Sequence, residues 1–302
     1  MTVVLFGAGY SARAFALANP MAETMVGTTR HPEKFRLLEE AGISPMQFDG
    51  ESLSDDLRDS LATATKVVVS IAPDDSGDPV LRAVGVNLRE ILPNTSVIAY
   101  LSTVGVYGDH DGRWVDENAN CRPVSRRSVL RLEAEKNWRT AASNAGIPLS
   151  ILRLSGIYGP GRNAFVNLAN GTAKRLVKPG QVFNRIHVAD IAGALGHLLQ
   201  IRADGVFNVT DDLPAPPQDV VLCAAQLMGI EPPPEQNFAT AQLSPMQRSF
   251  YGENKRVSNA KLKASGYSLA YPDYRKALEA LWVANDWAGE MEKDRRSPIK
   301  PD

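Results

Sequence analysis

Residues 2–19 read TVVLFGAGYSARAFALAN. The apolar, β-branched run TVVLF leads directly into GAGYSA (residues 7–12), after which apolar residues recur at helical spacing. Gly7, Gly9 and Ala12 match the Gly-x-Gly-x-x-Gly/Ala pattern, which brings backbone N–H groups and a helix N-terminus against a pyrophosphate. The stretch therefore predicts a strand, a phosphate-binding turn and a helix; the alternative is a plain glycine-rich turn between strand and helix.

Strand-like and helix-like segments alternate along the first half of the chain. The further strand candidates are TMVGTTR (24–30), MQFD (46–49), KVVVSIAP (66–73), SVIAYLSTV (96–104) and PLSILRLSG (148–156). The helix candidates are residues 11–19, 32–41, 53–61, 80–92 and 128–144. This alternation predicts an α/β fold with a doubly wound parallel sheet covered by helices on both faces.

Beyond Tyr158 the pattern becomes less regular. Residues 159–180 are rich in Gly, Asn and Lys, and two proline clusters lie between residues 213 and 236. We therefore expect a Rossmann domain from residues 1–152 and 185–210, with a smaller C-terminal α+β substrate lobe from 153–184 and 211–302. The charged tail after Gly289 is expected to be exposed.

The composition narrows the classes of partner. The 302 residues carry 33 Lys and Arg against 34 Asp and Glu, a formal net charge of −1, which argues against nucleic acid or membrane partners and favours a small molecule. Cys121 and Cys223 lie far apart, without neighbours at metal-ligand spacing, so neither a disulfide framework nor a metal site is predicted. The sequence has no signal-peptide pattern, so we expect a cytoplasmic protein. A homodimer is compatible with these features.

The end of the second strand candidate bears on cofactor selectivity. An NAD site places Asp or Glu about 20 residues after the glycines, where it binds the ribose 2′-OH. This chain has Thr28, Thr29 and Arg30 there instead. Two hydroxyls and a guanidinium suit a 2′-phosphate, so NADP is preferred and NAD is less favoured. The alternative is that Arg30 is merely an exposed residue before the next helix.

Four later motifs occur in a fixed order. They are STVGVYGD (102–109), RLSGIYGPGR (153–162), NRIHVADIAGAL (184–195) and GVFNVTDD (205–212). Together with GAGYSA they resemble the extended and atypical short-chain dehydrogenase/reductases, a group that includes the nucleoside-diphosphate-sugar epimerases. The resemblance implies a Rossmann domain that holds NAD(P) and a smaller lobe that closes a substrate cleft.

The resemblance also assigns residues to the cofactor. It implies that Asp49 reaches the adenine and that the segment from Ser70 to Pro73 passes beside a ribose. The predicted cofactor-binding residues are Gly7, Gly9, Tyr10, Ser11, Ala12, Thr28, Thr29, Arg30, Asp49, Ser70, Ile71, Ala72 and Pro73.

The catalytic positions of that family are only partly filled. Thr103 falls on the Ser/Thr position, but Arg127 and Arg131 occupy the positions of the Tyr-x-x-x-Lys pair. Arginine stays protonated, so it cannot replace a tyrosine as a proton shuttle. The two arginines either bind an anionic substrate group, such as a phosphate of a sugar nucleotide, or form a solvated helix face. His187, with Asp190 as its expected partner, is a further candidate for acid/base chemistry, or a structural pair.

Two functions from different classes follow. The first is an NADP-dependent oxidoreductase or sugar-nucleotide-modifying enzyme of the atypical short-chain group, in which Thr103, Arg127 and Arg131 form the candidate catalytic site. The second is a non-catalytic NADP(H)-binding sensor or scaffold, which the missing Tyr and Lys favour.

Overall fold

β1 is an interior strand of a seven-stranded parallel sheet because its apolar residues can be buried on both faces. The computed structural model describes residues 1–19, 24–85, 87–244, 248 and 250–289. In chain order the strands are β1 (Thr2–Phe6), β2 (Thr24–Thr29), β3 (Ile43–Gln47), β4 (Ala64–Val69), β5 (Val97–Thr103), β6 (Trp114–Val115), β7 (Leu149–Leu154), β8 (Gly156–Tyr158), β9 (Arg175–Val177), β10 (Arg185–His187), β11 (Gly205–Val209), β12 (Glu235–Asn237) and β13 (Arg256–Val257). The order across the sheet is β3-β2-β1-β4-β5-β7-β11.

Helices cover both faces of this sheet. In chain order the α-helices of the described residues are α1 (Tyr10–Ala18), α2 (Phe35–Glu39), α3 (Asp55–Thr63), α4 (Pro79–Val84), α5 (Leu88–Ile91), α6 (Arg126–Ala145), α7 (Ala164–Ala169), α8 (Val188–Gln200), α9 (Pro217–Met228), α10 (Ala260–Ala264) and α11 (Tyr274–Val283). Val3 and Leu5 of β1 pack with α1 and α8, whereas Val4 and Phe6 pack with α3, α4 and α6. The predicted doubly wound α/β fold is confirmed.

The strand order reverses at β1, which has β2 on one side and β4 on the other. In open parallel sheets such a reversal leaves a crevice outside the carboxyl ends of the strands, where ligands bind. The turn at residues 7–12, which follows β1, therefore lies at the crevice of the sheet.

One helix prediction is wrong. Residues 80–92 were expected to form a single helix, but α4 ends at Val84 and α5 begins at Leu88. Gly85 between them has a φ of +76°, a left-handed conformation that only glycine adopts without strain, so the helix ends there.

The C-terminal part of the chain builds a smaller unit from short elements. Three parallel pairs, β8–β10, β9–β12 and β6–β13, lie apart from the main sheet. A separate hydrophobic cluster joins α7, α9 and α11 through side chains that include Phe165, Leu278 and Trp287. The expected smaller α+β lobe is thus present, while the charged tail after Gly289 lies outside the described residues.

In the described part of the chain, no helix is long and apolar enough to cross a membrane. The same residues contain no group of three or more His, Cys, Asp or Glu side chains arranged to hold a metal ion. Cys121 and Cys223 are both free and half-buried.

Candidate functional site

The turn after β1 is fixed to β2 by hydrogen bonds. The amide of Gly7 donates to Thr28 Oγ1 at 3.0 Å, and the amide of Ala8 donates to the Thr28 carbonyl at 2.8 Å. Gly7 has a φ of +87°, and a Cβ there would lie only 2.9 Å from Ile71 Cγ1. Glycine is therefore required at this position by both conformation and space.

The N-terminus of α1 is open on the other side of the turn. Gly9 is the N-cap residue and is exposed, and no described side chain caps the helix. A Cβ at Gly9 would meet nothing within 4 Å. The first N–H groups of a helix need acceptors, and the helix dipole favours a negative charge there. The geometry therefore fits a pyrophosphate, with the amides of Tyr10 and Ser11 in the first turn as donors.

The three residues predicted to select the cofactor occupy different environments. Thr28 is fully buried, and its hydroxyl oxygen is the acceptor for Gly7. Thr29 is half-buried and accepts from the amide of His31 at 3.2 Å, whereas Arg30 is exposed. Thr28 thus supports the turn, and Thr29 and Arg30 remain at the surface beside it.

Asp49 lies two residues beyond the end of β3 and is exposed. Its carboxylate accepts from the amide of Glu51 at 2.9 Å, and this bond holds the pKa of Asp49 below its usual value. It is therefore ionised at neutral pH and free to accept a hydrogen bond from a ligand.

The segment after β4 runs beside the turn. The amide of Ser70 donates to the Phe6 carbonyl at 2.8 Å, which holds the segment against β1. The Ile71 side chain lies against Gly7, whereas Ala72 is exposed and Pro73 is half-buried. The structure therefore brings the predicted residues of both segments to the same end of the sheet.

Arg127 and Arg131 are one helical turn apart on α6 but differ in environment. Arg127 is exposed. Arg131 is half-buried, and its Nη1 donates to the carbonyls of Ile71 and Leu101 at 3.1 and 2.9 Å and to the hydroxyl of Tyr100 at 3.1 Å. Arg131 thereby ties the segment after β4 to β5.

The hydroxyl groups of Thr103 and Ser128 both lie close to Gly105. The amide of Gly105 donates to Thr103 Oγ1 at 3.1 Å, so that Thr103 caps the 3-10 helix Val104–Tyr107. A Cβ built on Gly105 would lie 2.7 Å from Ser128 Oγ and 3.4 Å from Thr103 Oγ1. Ser128 was not singled out from the sequence, and its place in the first turn of α6, directly after Arg127, is the signal that would have found it.

Ser102, which precedes Thr103, belongs to a buried ionic network. Glu135 accepts from Ser102 Oγ at 2.5 Å and pairs with Arg153 at 2.7 Å, and the side chains of Glu135 and Arg153 are 1% and 5% exposed. The Arg153 guanidinium also lies 4.8 Å from the centre of the Tyr107 ring, and Tyr107 donates to Asn208 at 2.7 Å. Burial raises the pKa of Tyr107 to about 12, so its hydroxyl stays protonated and cannot act as a base.

The expected pairing of His187 with Asp190 is wrong. His187 Nδ1 accepts from the amide of Ala189, while Asp190 accepts from the hydroxyl of Tyr267 and the amides of Ala270 and Tyr271. Both residues lie at the start of α8, but the carboxylate of Asp190 bonds to the segment that precedes α11. Burial lowers the pKa of His187 to about 4, so the ring is neutral at physiological pH.

The turn also contacts the smaller lobe. The Tyr10 hydroxyl donates to the carbonyl of Pro160 at 2.9 Å, and the Arg162 guanidinium lies 5.4 Å from the centre of the Tyr10 ring. A residue of the GAGYSA turn is thus bonded to the loop that follows β8.

Comparisons with known proteins agree with this architecture. Residues 82–210 match the family model described as NAD dependent epimerase/dehydratase family. A structure of a conserved protein of unknown function from Silicibacter pomeroyi is 43% identical, with a TM-score of 0.85, and the match covers 94% of this chain and 99% of that one. Protein YeeZ of Escherichia coli K12 is 29% identical over 231 residues, 73% of this chain and 76% of YeeZ. The human epimerase family protein SDR39U1, solved with NADPH, shares the fold at 18% identity and a TM-score of 0.67, over 94% of this chain and 99% of the human one.

Proposed function

The chain belongs to the NAD dependent epimerase/dehydratase family, and we propose that it is an NADP(H)-dependent oxidoreductase of that family acting on a small polar substrate. The observation that carries the proposal is the open N-terminus of α1 at Gly9, beside a glycine turn pinned to β2. Residues 1–152 and 185–210 form the cofactor-binding domain in this proposal, and residues 153–184 and 211–302 form the substrate lobe. The two free cysteines support a cytoplasmic location.

Each part of the cofactor has candidate partners in this chain. The first amides of α1 would hold the pyrophosphate, Asp49 the adenosine end, and the segment from Ser70 to Pro73 one ribose. Thr29 and Arg30 would hold the 2′-phosphate, because a guanidinium suits a phosphate and Arg30 is free at the surface.

NADP(H), when bound, supplies or accepts the hydride of the reaction. Thr103 is the residue proposed to contact the reacting oxygen: its own oxygen accepts from Gly105, which leaves its hydroxyl hydrogen free to be donated. Arg131 is proposed to position the cofactor, because it bonds to the Ile71 carbonyl and Ile71 lies against Gly7. Exposed Arg127 remains the candidate for an anionic group of the substrate.

One observation favours the second function, a non-catalytic NADP(H) sensor. An arginine side chain does not serve as a general acid or base near neutral pH, and the Arg131 guanidinium already donates to three oxygens. A sensor would bind NADPH without oxidising it in the presence of any carbonyl compound.

Calorimetric titration with NADPH and NADH tests the cofactor assignment. We expect NADPH to bind about tenfold to a hundredfold more tightly, because a charge-assisted hydrogen bond contributes about 1.5–3 kcal/mol. Arg30→Ala should remove most of this ratio and leave the NADH affinity unchanged, whereas Arg58→Ala, at an exposed arginine on α3, should leave the ratio as it is. Equal loss of both affinities in Arg30→Ala would refute the 2′-phosphate role.

Turnover separates the enzyme from the sensor. The measurement is the oxidation of NADPH, followed by the loss of its nicotinamide absorbance, with small carbonyl compounds and sugar nucleotides as substrates. We expect Thr103→Ala to lower kcat about a hundredfold, as loss of one oxyanion donor does, and exposed Thr140→Ala on α6 to leave it unchanged. Full activity in Thr103→Ala would show that the reaction takes place elsewhere, and NADPH binding without turnover of any compound would support the sensor.

A further inference from the structure

A cavity of about 430 Å³ lies in the smaller lobe, among α7, α9 and α11. This volume is within the range of sites for small molecules, about 300–1,000 Å³. Its lining includes apolar side chains, among them Val166, Val220 and Leu278, and polar ones, among them Tyr158 and Arg185. None of the residues assigned above to cofactor or catalysis lines it.

Arg185 places a positive charge in the cavity wall. It lies on β10, and its Nη1 donates to the carbonyls of Phe183 and Ala215, each at 3.0 Å. These two bonds fix the orientation of the guanidinium, and the acidic group that acts on its charge is Asp211. A guanidinium oriented by main-chain carbonyls is a preformed donor for an oxyanion.

Tyr158 supplies a second donor. It is 9% exposed, and its hydroxyl has no hydrogen-bond partner among the described residues. A buried hydroxyl without a protein partner costs free energy unless a ligand or an ordered water molecule bonds to it. Burial also raises the pKa of Tyr158 well above its usual value, which keeps the hydroxyl protonated and able to donate.

Charged groups of both signs surround the cavity. Arg162 also lines it, and α9, whose first turn contributes Pro217, begins there without a side-chain cap. Acidic groups oppose these positive charges: Asp190, Asp211 and Asp273 act on Tyr158, and Asp219, in the first turn of α9, acts on Tyr274. Asp273 is committed to the amides of Arg275 and Lys276 as the cap of α11, and burial raises the pKa of Asp211 to about 8, so that it is mostly neutral at pH 7.

We propose that this cavity binds the oxyanion group of a small molecule, a carboxylate or a phosphate, with Arg185 and Tyr158 as its donors and the apolar wall against the rest of the molecule. The contact of Arg162 with Tyr10 joins the cavity to the GAGYSA turn, so a molecule held here is coupled to the cofactor site. That this molecule is the substrate rests on the proposed function; the binding itself does not.

Calorimetry with matched probes tests the proposal. The anionic probes are glucuronate for a carboxylate, and glucose 1-phosphate and uridine diphosphate for a phosphate; glucose and uridine are their neutral counterparts. We expect at least one anionic probe to bind at least tenfold more tightly than its neutral counterpart. Which of the three binds most tightly distinguishes a carboxylate from a phosphate ligand.

Variants locate the binding in the cavity. Arg185→Gln should weaken the best anionic probe at least tenfold, and Tyr158→Phe about threefold, since the latter removes only a hydroxyl without a partner and should fold normally. Arg175→Gln is the control, because Arg175 also donates to a main-chain carbonyl in this lobe, that of Pro233, but does not line the cavity. Anionic probes that bind no better than neutral ones, or that bind Tyr158→Phe and Arg185→Gln as tightly as the native protein, would overturn the proposal. NADPH binding measured in the same samples tests the proposed function separately.

Discussion

The GAGYSA turn and the cavity of the smaller lobe bind through different parts of the chain. The turn offers main-chain amides, and the side chains that matter there, such as Thr28, act by holding the backbone in place. The cavity offers side chains, Arg185 and Tyr158, that belong to two short paired strands. Binding at the turn requires the space that its glycines leave open, so a larger side chain there blocks the ligand. Binding in the cavity requires donor atoms of side chains, so removing such an atom weakens it.

The largest effect is expected from adding a carboxylate to the turn. Gly9→Asp should weaken NADPH binding at least about a hundredfold, roughly 2.7 kcal/mol, because the new charge would face the pyrophosphate. The fold should survive, since Gly9 has an ordinary φ of −87° and a Cβ there meets nothing within 4 Å. Calorimetry on Gly9→Asp and on Gly9→Ala, which adds the Cβ without the charge, checks this.

The same variant, Gly9→Asp, tests whether the turn and the cavity are separate binding sites. If they are built independently, Gly9→Asp should bind the anionic probes of the cavity as tightly as the native protein does. Loss of probe and cofactor binding together, with an unchanged unfolding midpoint, would show that both ligands share one site at the turn.

The turn could be predicted from the sequence because its signals are local. Strand, glycines and helix follow one another within residues 2–19, and the periodicity of each segment predicts which face is buried. The same reasoning predicted the central strands of the sheet and their parallel arrangement. It could not predict that the hydroxyl of Thr28 would be used by Gly7, because that bond depends on how β1 and β2 pair.

The cavity could not be predicted, because its residues come together only in the folded chain. Tyr158 stands in the motif RLSGIYGPGR and Leu278 in none of the motifs, and only the folded chain brings the two side chains together. The wrong pairing of His187 with Asp190 has the same cause: sequence spacing suggested a contact, but the segment before α11 provides the partners of Asp190. Arg127 and Arg131 likewise occupy equivalent positions on one helix and differ only through what packs against α6.

The pH dependence of the free energy of unfolding also distinguishes the two regions, because each has an acidic residue with a shifted pKa. Asp211, near the cavity, has a pKa raised to about 8 by burial, whereas the pKa of Asp49, near the turn, is lowered. A raised pKa means that the folded state holds a proton that the unfolded state has lost. Asp211 therefore makes the free energy of unfolding fall as the pH rises toward 8, by at most about 1.4 kcal/mol per pH unit.

Asp211→Asn should remove that slope. The measurement is denaturant unfolding between pH 6.5 and 8, above the range in which neutral, buried His187 gives a slope of the opposite sign. The difference in stability between Asp211→Asn and the native protein should grow in favour of the variant across this window. For Asp49→Asn the difference should stay constant, because Asp49 is ionised in both states; a constant difference for Asp211→Asn as well would show that its carboxyl is not protonated in the folded protein.

The smallest effect is expected at the hydrogen bond that joins the two regions. Tyr10 of the turn donates to the carbonyl of Pro160 at 2.9 Å, and an average hydrogen bond contributes about 0.5–1.5 kcal/mol. Tyr10→Phe should leave the affinity for NADPH alone, and for the best anionic probe alone, within about threefold of the native values. What should fall is the factor by which one ligand changes the affinity for the other, by about twofold to tenfold.

Tyr267→Phe is the control, because it loses a bond of the same length, to Asp190, away from the contact between the turn and the loop after β8. If the native protein binds each ligand with the same affinity whether or not the other is present, the turn and the cavity are not coupled, and the contact of Tyr10 with Pro160 and Arg162 serves only to pack the lobe against the sheet.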